Sequence, residues 1–345
     1  GEVQGSDVVA HSAGILDIKT NILPNADALF LTAIDPYGHE LWRWTFPVNK
    51  LNQQTEQLSP LSSRPTYTET ENDLTVKANK RTFIFSKKDG QLKGVSVDNR
   101  KISFANGPRF IGARRADRSL DQFYNHDDEK AKEKDRTYSE FPDAAVFTKL
   151  DVKQDGGDLV VTANYKLGNL DKAQWTINPS GDLALDYTYN FSGVVDLMGI
   201  RFDYPEDQVI SKRWLGAGPY RVWQNRIHGT QYDVWENDYN DPIPGETFTY
   251  PEFKGYFGDV SWMNIQTKEG TISLTNETPD AYIGVYQPRD GRDRLLYTLP
   301  ESGISVLNVI PPVRNKVNST DLCGPSSQPK WVNGPQTGRV IFRFM

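Results

Sequence analysis

Residues 175–191 read Trp-Thr-Ile-Asn-Pro-Ser-Gly-Asp-Leu-Ala-Leu-Asp-Tyr-Thr-Tyr-Asn-Phe. Leu183, Leu185, Tyr187, Tyr189 and Phe191 fall on every second position, the period of a strand with one buried face. Between Ile177 and Leu183 lies Asn178-Pro179-Ser180-Gly181-Asp182, a concentration of the residues that favour turns. Trp175 and Ile177 therefore pair with the run after them in a hairpin.

The same period extends outward in both directions. Upstream, Phe83 and Phe85 lead into Lys88-Asp89-Gly90, Val95 and Val97 lead into Asp98-Asn99, and Ile102 and Phe104 follow, which predicts a three-strand meander. Leu150 and Val152 meet Val160 across Asp155-Gly156-Gly157-Asp158. Downstream, Ile272/Leu274, Ile304/Val306 and Val340/Phe342/Phe344 alternate in the same way. Helical signal is scarce. Segment 128–135 is charged throughout without an apolar stripe and reads as a solvated loop or single turn. Segment 50–66 is polar, rich in Gln, Ser, Thr and Pro, and reads as a linker. The boundary falls near residue 65. Residues 1–65 carry strand-like runs (14–16, 28–31, 41–46) of an immunoglobulin-like sandwich, short of the roughly 100 residues such a domain takes. Residues 66–345 form an all-β antiparallel supersandwich.

The chain has 345 residues, 39 basic and 45 acidic, for a net charge of −6. It has no general electrostatic reason to track phosphate backbones, and nucleic acid is not an expected partner. No apolar run approaches the roughly 20 residues of a membrane-spanning helix. A single cysteine, Cys323, makes neither an internal disulfide nor a thiolate cluster. His11, His39, His126 and His228 are scattered. His126 is flanked by Asp127 and Asp128, yet a surface role is preferred over a ligand set, so neither metal nor cofactor is expected. A removed export signal would fit a periplasmic or secreted setting.

Aromatics make up 12% of the chain, against 37% hydrophobic residues overall. They crowd between Trp214 and Asp241, where Trp214, Tyr220, Trp223, Asn225, Arg226 and Trp235 surround the turn Gly216-Ala-Gly218-Pro219. Aromatic faces stack on the C–H faces of pyranose rings, and planar Arg, Asn and Asp groups match vicinal hydroxyls. A tryptophan-rich inter-sheet core with an Arg-capped turn is the alternative. Arg226 either ion-pairs with Asp238 or Asp241 or contacts ligand.

The string Trp214-Leu-Gly216-Ala-Gly218-Pro219-Tyr-Arg-Val-Trp223-Gln-Asn225-Arg226 resembles the Gly-x-Gly-Pro-x-Glu-x-Tyr-x-Asp-Arg signature in the C-terminal β-sandwich of glycoside hydrolase family 2 β-galactosidases. Phe83 to Leu92 resembles that domain's opening strand. Gly107-Pro108-Arg109-Phe110-Ile111 with Arg114 and Asp117 resembles its Gly-Pro to Arg-Ala-Pro-Thr-Asp stretch. Tyr250-Pro251-Glu252 with Asp259 to Trp262 resembles a later element. The resemblance implies a galactose-mutarotase-like supersandwich behind an immunoglobulin-like linker. It also implies a terminal loop lending an aromatic side chain to a neighbouring sugar site, for which Trp331 is the candidate. Arg221, Trp223 and Asn225 stand where the family has Glu, Tyr and Asp, which marks a divergent branch.

A retaining glycosidase sets two carboxyl groups about 5–5.5 Å apart, and this family places them on a (β/α)₈ barrel of about 250 residues. Strand-rich sequence leaves no room for one. The expectation is a non-catalytic, carbohydrate-facing C-terminal region of a larger hydrolase, with carbohydrate and an upstream barrel as partners. Its candidate sugar-facing residues are Trp214, Tyr220, Trp223, Asn225, Arg226, Trp235, Trp262 and Trp331. The alternatives are a stand-alone carbohydrate-binding module, or a supersandwich epimerase or lyase. An epimerase would use His228 with Glu236 or Glu252, or His126 with Asp127. A lyase would use Tyr220, Tyr232 or Tyr239 with Arg226.

Overall fold

The structure is a computed structural model describing residues 8–18, 26–48, 63–115, 138–238, 255–285, 300–312 and 324–345. His126, Asp127, the 128–135 segment, Asp117, Tyr239, Asp241, Tyr250, Pro251, Glu252, Cys323 and most of the 50–66 linker lie outside the described residues. The chain divides into two compact units, Gly1–Asn52 and Gln53–Met345.

In the first unit, β1 (Ala28–Ile34) and β2 (Glu40–Pro47) form an antiparallel two-stranded sheet. Its register pairs Leu29 with Phe46, Leu31 with Trp44 and Ala33 with Trp42, so one face carries all six of these apolar side chains. Residues 14–16, expected as a strand, have no strand structure.

The second unit begins with β3 (Thr66–Glu69), β4 (Asp73–Ala78), β5 (Arg81–Ser86), β6 (Leu92–Val97), β7 (Arg100–Ile102), β8 (Ala105–Arg115) and β9 (Tyr138–Glu140). It continues with β10 (Val146–Asp155), β11 (Asp158–Lys166), β12 (Leu170–Ile177), β13 (Leu183–Val195), β14 (Leu197–Asp203), β15 (Val209–Gly218) and β16 (Gln231–Asp238). The last strands are β17 (Trp262–Thr267), β18 (Gly270–Asn276), β19 (Tyr282–Gly284), β20 (Ile304–Val309) and β21 (Lys330–Phe344). One sheet has nine strands in the order β10-β11-β12-β13-β21-β18-β17-β15-β16. The other has ten: β19-β20-β14-β8-β6-β5-β4-β3, with β7 on β6 and β9 on β8. All the strand ladders are antiparallel, and the two sheets form the expected supersandwich. Among the described residues no helix is long and apolar enough to cross a membrane.

The hairpin read at 175–191 forms as expected. Trp175 pairs with Leu185 and Ile177 with Leu183 across the turn. Asn178 closes that turn, its Oδ1 accepting the Asp182 N–H at 2.9 Å and its carbonyl the Gly181 N–H at 2.9 Å. Leu183, Leu185, Tyr187, Tyr189 and Phe191 all point into the core. There the nine-stranded sheet meets the ten-stranded one ring to ring: Trp175 against Phe85 at 5.9 Å, and Phe342 against Phe202 at 5.3 Å. The meander over 83–104 and the turn at Asp155–Asp158 also form as the alternation predicts.

A second, smaller apolar cluster lies on the outer face of the ten-stranded sheet. Phe110 and Ile200 point into the main core, so Ile111, Ala113 and Leu197 point the other way. Val222, Trp223 and Tyr256 cover them. The chain after β15 has thus left its own sheet and lies across the back of the other.

Candidate functional site

That crossing fixes the candidate sugar-facing residues. Val222 and Tyr256 exchange backbone hydrogen bonds of 2.7 and 2.9 Å, and the Gln224 N–H reaches the Pro311 carbonyl at 3.0 Å. Trp223, held between these anchors, is 1% exposed, and Tyr256 meets its ring edge-on at 5.7 Å. Trp214 is 0% exposed, its ring 4.8 Å from Phe257 and its indole N–H donated to the Ala217 carbonyl at 3.0 Å. The sequence expected one or two of Trp214, Trp223 and Trp235 at an open cleft. The structure instead spends the first two on core packing, because their neighbours in sequence enter regular strand and bridge pairing that turns them inward.

Trp235 is half-buried. Its indole lies against the Cα of Gly218, where a side chain would collide with the ring, and it donates to the Gln231 carbonyl at 3.0 Å. Trp262 is also half-buried, with the Arg213 guanidinium 5.6 Å from its ring centre. These two do not converge. Trp235 pairs with Trp214, while Trp262 pairs with Leu215, and adjacent strand residues face opposite sides of a sheet.

Of the remaining candidates, Asn225 bonds to the segment that leads toward Trp331. The Gln224 side-chain amide donates to the Gln328 carbonyl at 2.6 Å, and that of Asn225 reaches Ser327 Oγ at 3.4 Å. These bonds join the turn after β15 to the segment entering β21, about a hundred positions along the chain. Tyr220 (45%) and Arg226 on the first segment and Trp331 (72%) beyond the second are exposed. Arg226 forms no ion pair among the described residues and uses its backbone N–H to close the turn on the Trp223 carbonyl at 2.8 Å. The departures at Trp223 and Asn225 acquire a physical role here: the indole seals the outer cluster and the amide bridges to Ser327.

Of the residues raised for epimerase or lyase chemistry, His228 and Glu236 are both exposed, and Tyr232 shares a 2.6 Å hydrogen bond with Ser261 Oγ. Among the described residues no group of three or more His, Cys, Asp or Glu side chains could hold a metal ion.

The sequence reading missed a groove on the outer face of the nine-stranded sheet. It has a volume of about 320 Å³ and is lined by Lys172, Asp186, Thr188, Glu277, Thr337 and Arg339. Arg339 bridges its two carboxylates, donating from Nη1 to Asp186 at 2.5 Å and approaching Glu277 through Nε at 2.9 Å. Thr278 clamps the backbone of Arg339, accepting its N–H and donating to its carbonyl, each at 3.0 Å. Beneath, the Tyr187 hydroxyl abuts the Cα of Gly338, a position only glycine can fill without displacing the ring. Burial pushes the Tyr187 pKa up to about 12, with the nearby Thr278 hydroxyl pulling the other way. The available signal was the polar half of the alternation, Asp186 and Thr188 on β13 facing Arg339 and Thr337 on β21.

The profile of the family described as beta galactosidase small chain matches residues 77–311. No curated protein matches the chain. Among solved structures, a galactose 1-epimerase from Lactobacillus acidophilus NCFM aligns with 10% identity and a TM-score of 0.45, over 82% of this chain and 99% of that one. An aldose epimerase homologue from C. elegans aligns with 8% identity and a TM-score of 0.36, over 81% and 99% respectively.

Proposed function

The chain belongs to the beta galactosidase small chain family, and from that premise we propose that it is a non-catalytic, carbohydrate-facing region of a glycoside hydrolase family 2-like enzyme. Family membership gives the carbohydrate-related role. The finer reading is carried by one observation: the Gln224–Gln328 and Asn225–Ser327 bonds tie the segment bearing exposed Tyr220 and Arg226 to the one that leads into exposed Trp331. An aromatic side chain left in water loses the stabilisation of burial, and a sugar's C–H face restores it. Arg226 and the amides beside it supply donors for hydroxyl groups. The scaffold reading is supported by the two stacked antiparallel sheets; on this reading a separate barrel domain carries the acid pair of hydrolysis.

Titrating the protein with a panel of galacto-oligosaccharides tests this reading. Trp331→Ala and Tyr220→Ala are expected to weaken binding at least about tenfold, the loss of one well-packed aromatic contact. An affinity unchanged in both variants would remove this surface from sugar recognition.

A further inference from the structure

We propose that the groove over Gly338, on the outer face of the nine-stranded sheet, binds one neutral, polyhydroxylated sugar unit through Lys172, Asp186, Glu277 and Arg339. This deepens the carbohydrate reading and rests on it, at a place separate from the Trp331 surface.

The volume of about 320 Å³ sits at the small end of the roughly 300–1,000 Å³ range of small-molecule sites, enough for a monosaccharide-sized ligand. Its lining is polar and balanced: Lys172 and Arg339 offset Asp186 and Glu277, so a neutral ligand meets no net field. Donors and acceptors alternate around it. Arg339 spends its Nε–H on Glu277 and an Nη1–H on Asp186, which leaves its other N–H groups available. Each carboxylate keeps an oxygen that Arg339 does not use. Lys172 makes no ion pair among the described residues, and Thr188 and Thr337 add hydroxyls from directly paired positions on β13 and β21. A vicinal diol needs this mixture, because every sugar hydroxyl both donates and accepts. The groove is also pre-ordered. Thr278 holds the Arg339 backbone and two carboxylates hold its guanidinium, so a ligand immobilises little that was free.

The test is calorimetric titration with D-galactose and D-galacturonate of the wild type, Lys172→Ala, Thr337→Val and Trp331→Ala. Lys172 is exposed and Thr337→Val preserves shape, so both variants keep the fold. Galactose affinity is expected to fall about tenfold in Lys172→Ala and severalfold in Thr337→Val, and to exceed that of galacturonate. Galactose affinity unchanged in the groove variants, or lost only in Trp331→Ala, overturns the groove site and leaves the carbohydrate reading standing. Oligosaccharide binding that requires Trp331, with no galactose binding, does the same. Absence of binding to every sugar, oligosaccharides included, overturns both.

Discussion

Arg343 and Asp182 meet in a bidentate pair, Nε to Oδ1 at 2.7 Å and Nη2 to Oδ2 at 2.8 Å, with side chains only 10% and 6% exposed. The pair ties the end of β21 to the turn that opens β13. Arg81 reinforces the join by donating to the carbonyls of Phe344 at 2.7 Å and Ser180 at 2.6 Å. Strands distant in sequence are thus fixed beside one another by charge-assisted bonds that also satisfy turn carbonyls.

Removing one member leaves the other charged and dry. Asp182→Ala is expected to destabilise the second unit by about 3–5 kcal/mol, read by chemical denaturation. Replacing both residues with apolar ones of similar volume should cost less than either single change. A single substitution costing under about 1 kcal/mol would show that the pair is more solvated than its geometry implies.

Two tryptophans should respond in opposite ways. Trp223→Ala empties the centre of the outer cluster and is expected to cost about 3–5 kcal/mol of stability. Trp331→Ala removes an exposed side chain and should change stability by less than about 0.5 kcal/mol while reducing oligosaccharide affinity. Thermal melts beside binding isotherms separate the two roles, and equal stability losses would refute the assignment.

Gly338→Ala should cost about 1–3 kcal/mol, because a methyl there meets the Tyr187 hydroxyl and must push the ring off its place. Pairing it with Tyr187→Leu, which removes both the hydroxyl and the ring carbon that the methyl meets, should give a loss smaller than the sum of the two. Additive losses in the double variant would place the strain elsewhere.

Alkaline stability follows from the buried phenols. Tyr187 titrates near 10 when unfolded and at about 12 when folded, so its contribution is complete below about pH 10 and drains away as pH rises through the folded value. Burial drives Tyr165 and Tyr256 upward too, with the same sign. The loss from Tyr187 is on the order of 2 kcal/mol. Denaturation of the wild type and Tyr187→Phe at about pH 9 and about pH 11 checks it: the gap should shift in favour of the variant at the higher pH.

The hairpin at 175–191 was readable in sequence because its turn is local and its alternation coincides with a one-sided burial pattern. Exposure of the tryptophans was not readable. Trp214 and Trp262 sit on neighbouring paired strands and differ only in which way the pleat points them, a parity that register sets and composition does not. Nor could Trp223 be placed, since its burial depends on chain that leaves one sheet to cover the other. The bond between Gln224 and Gln328 spans 104 positions and has no local signature. The groove escaped because Asp186 and Arg339 look like ordinary solvent-facing strand residues until their strands are paired.

The central claim is that this sandwich faces carbohydrate without cleaving it, and the most direct measurement is a time course of the purified chain alone with aryl β-galactosides. No release of the aryl group above the buffer rate is the expected result. Sustained turnover that disappears on substitution of one carboxylate, such as Asp186 or Glu277, would contradict the account.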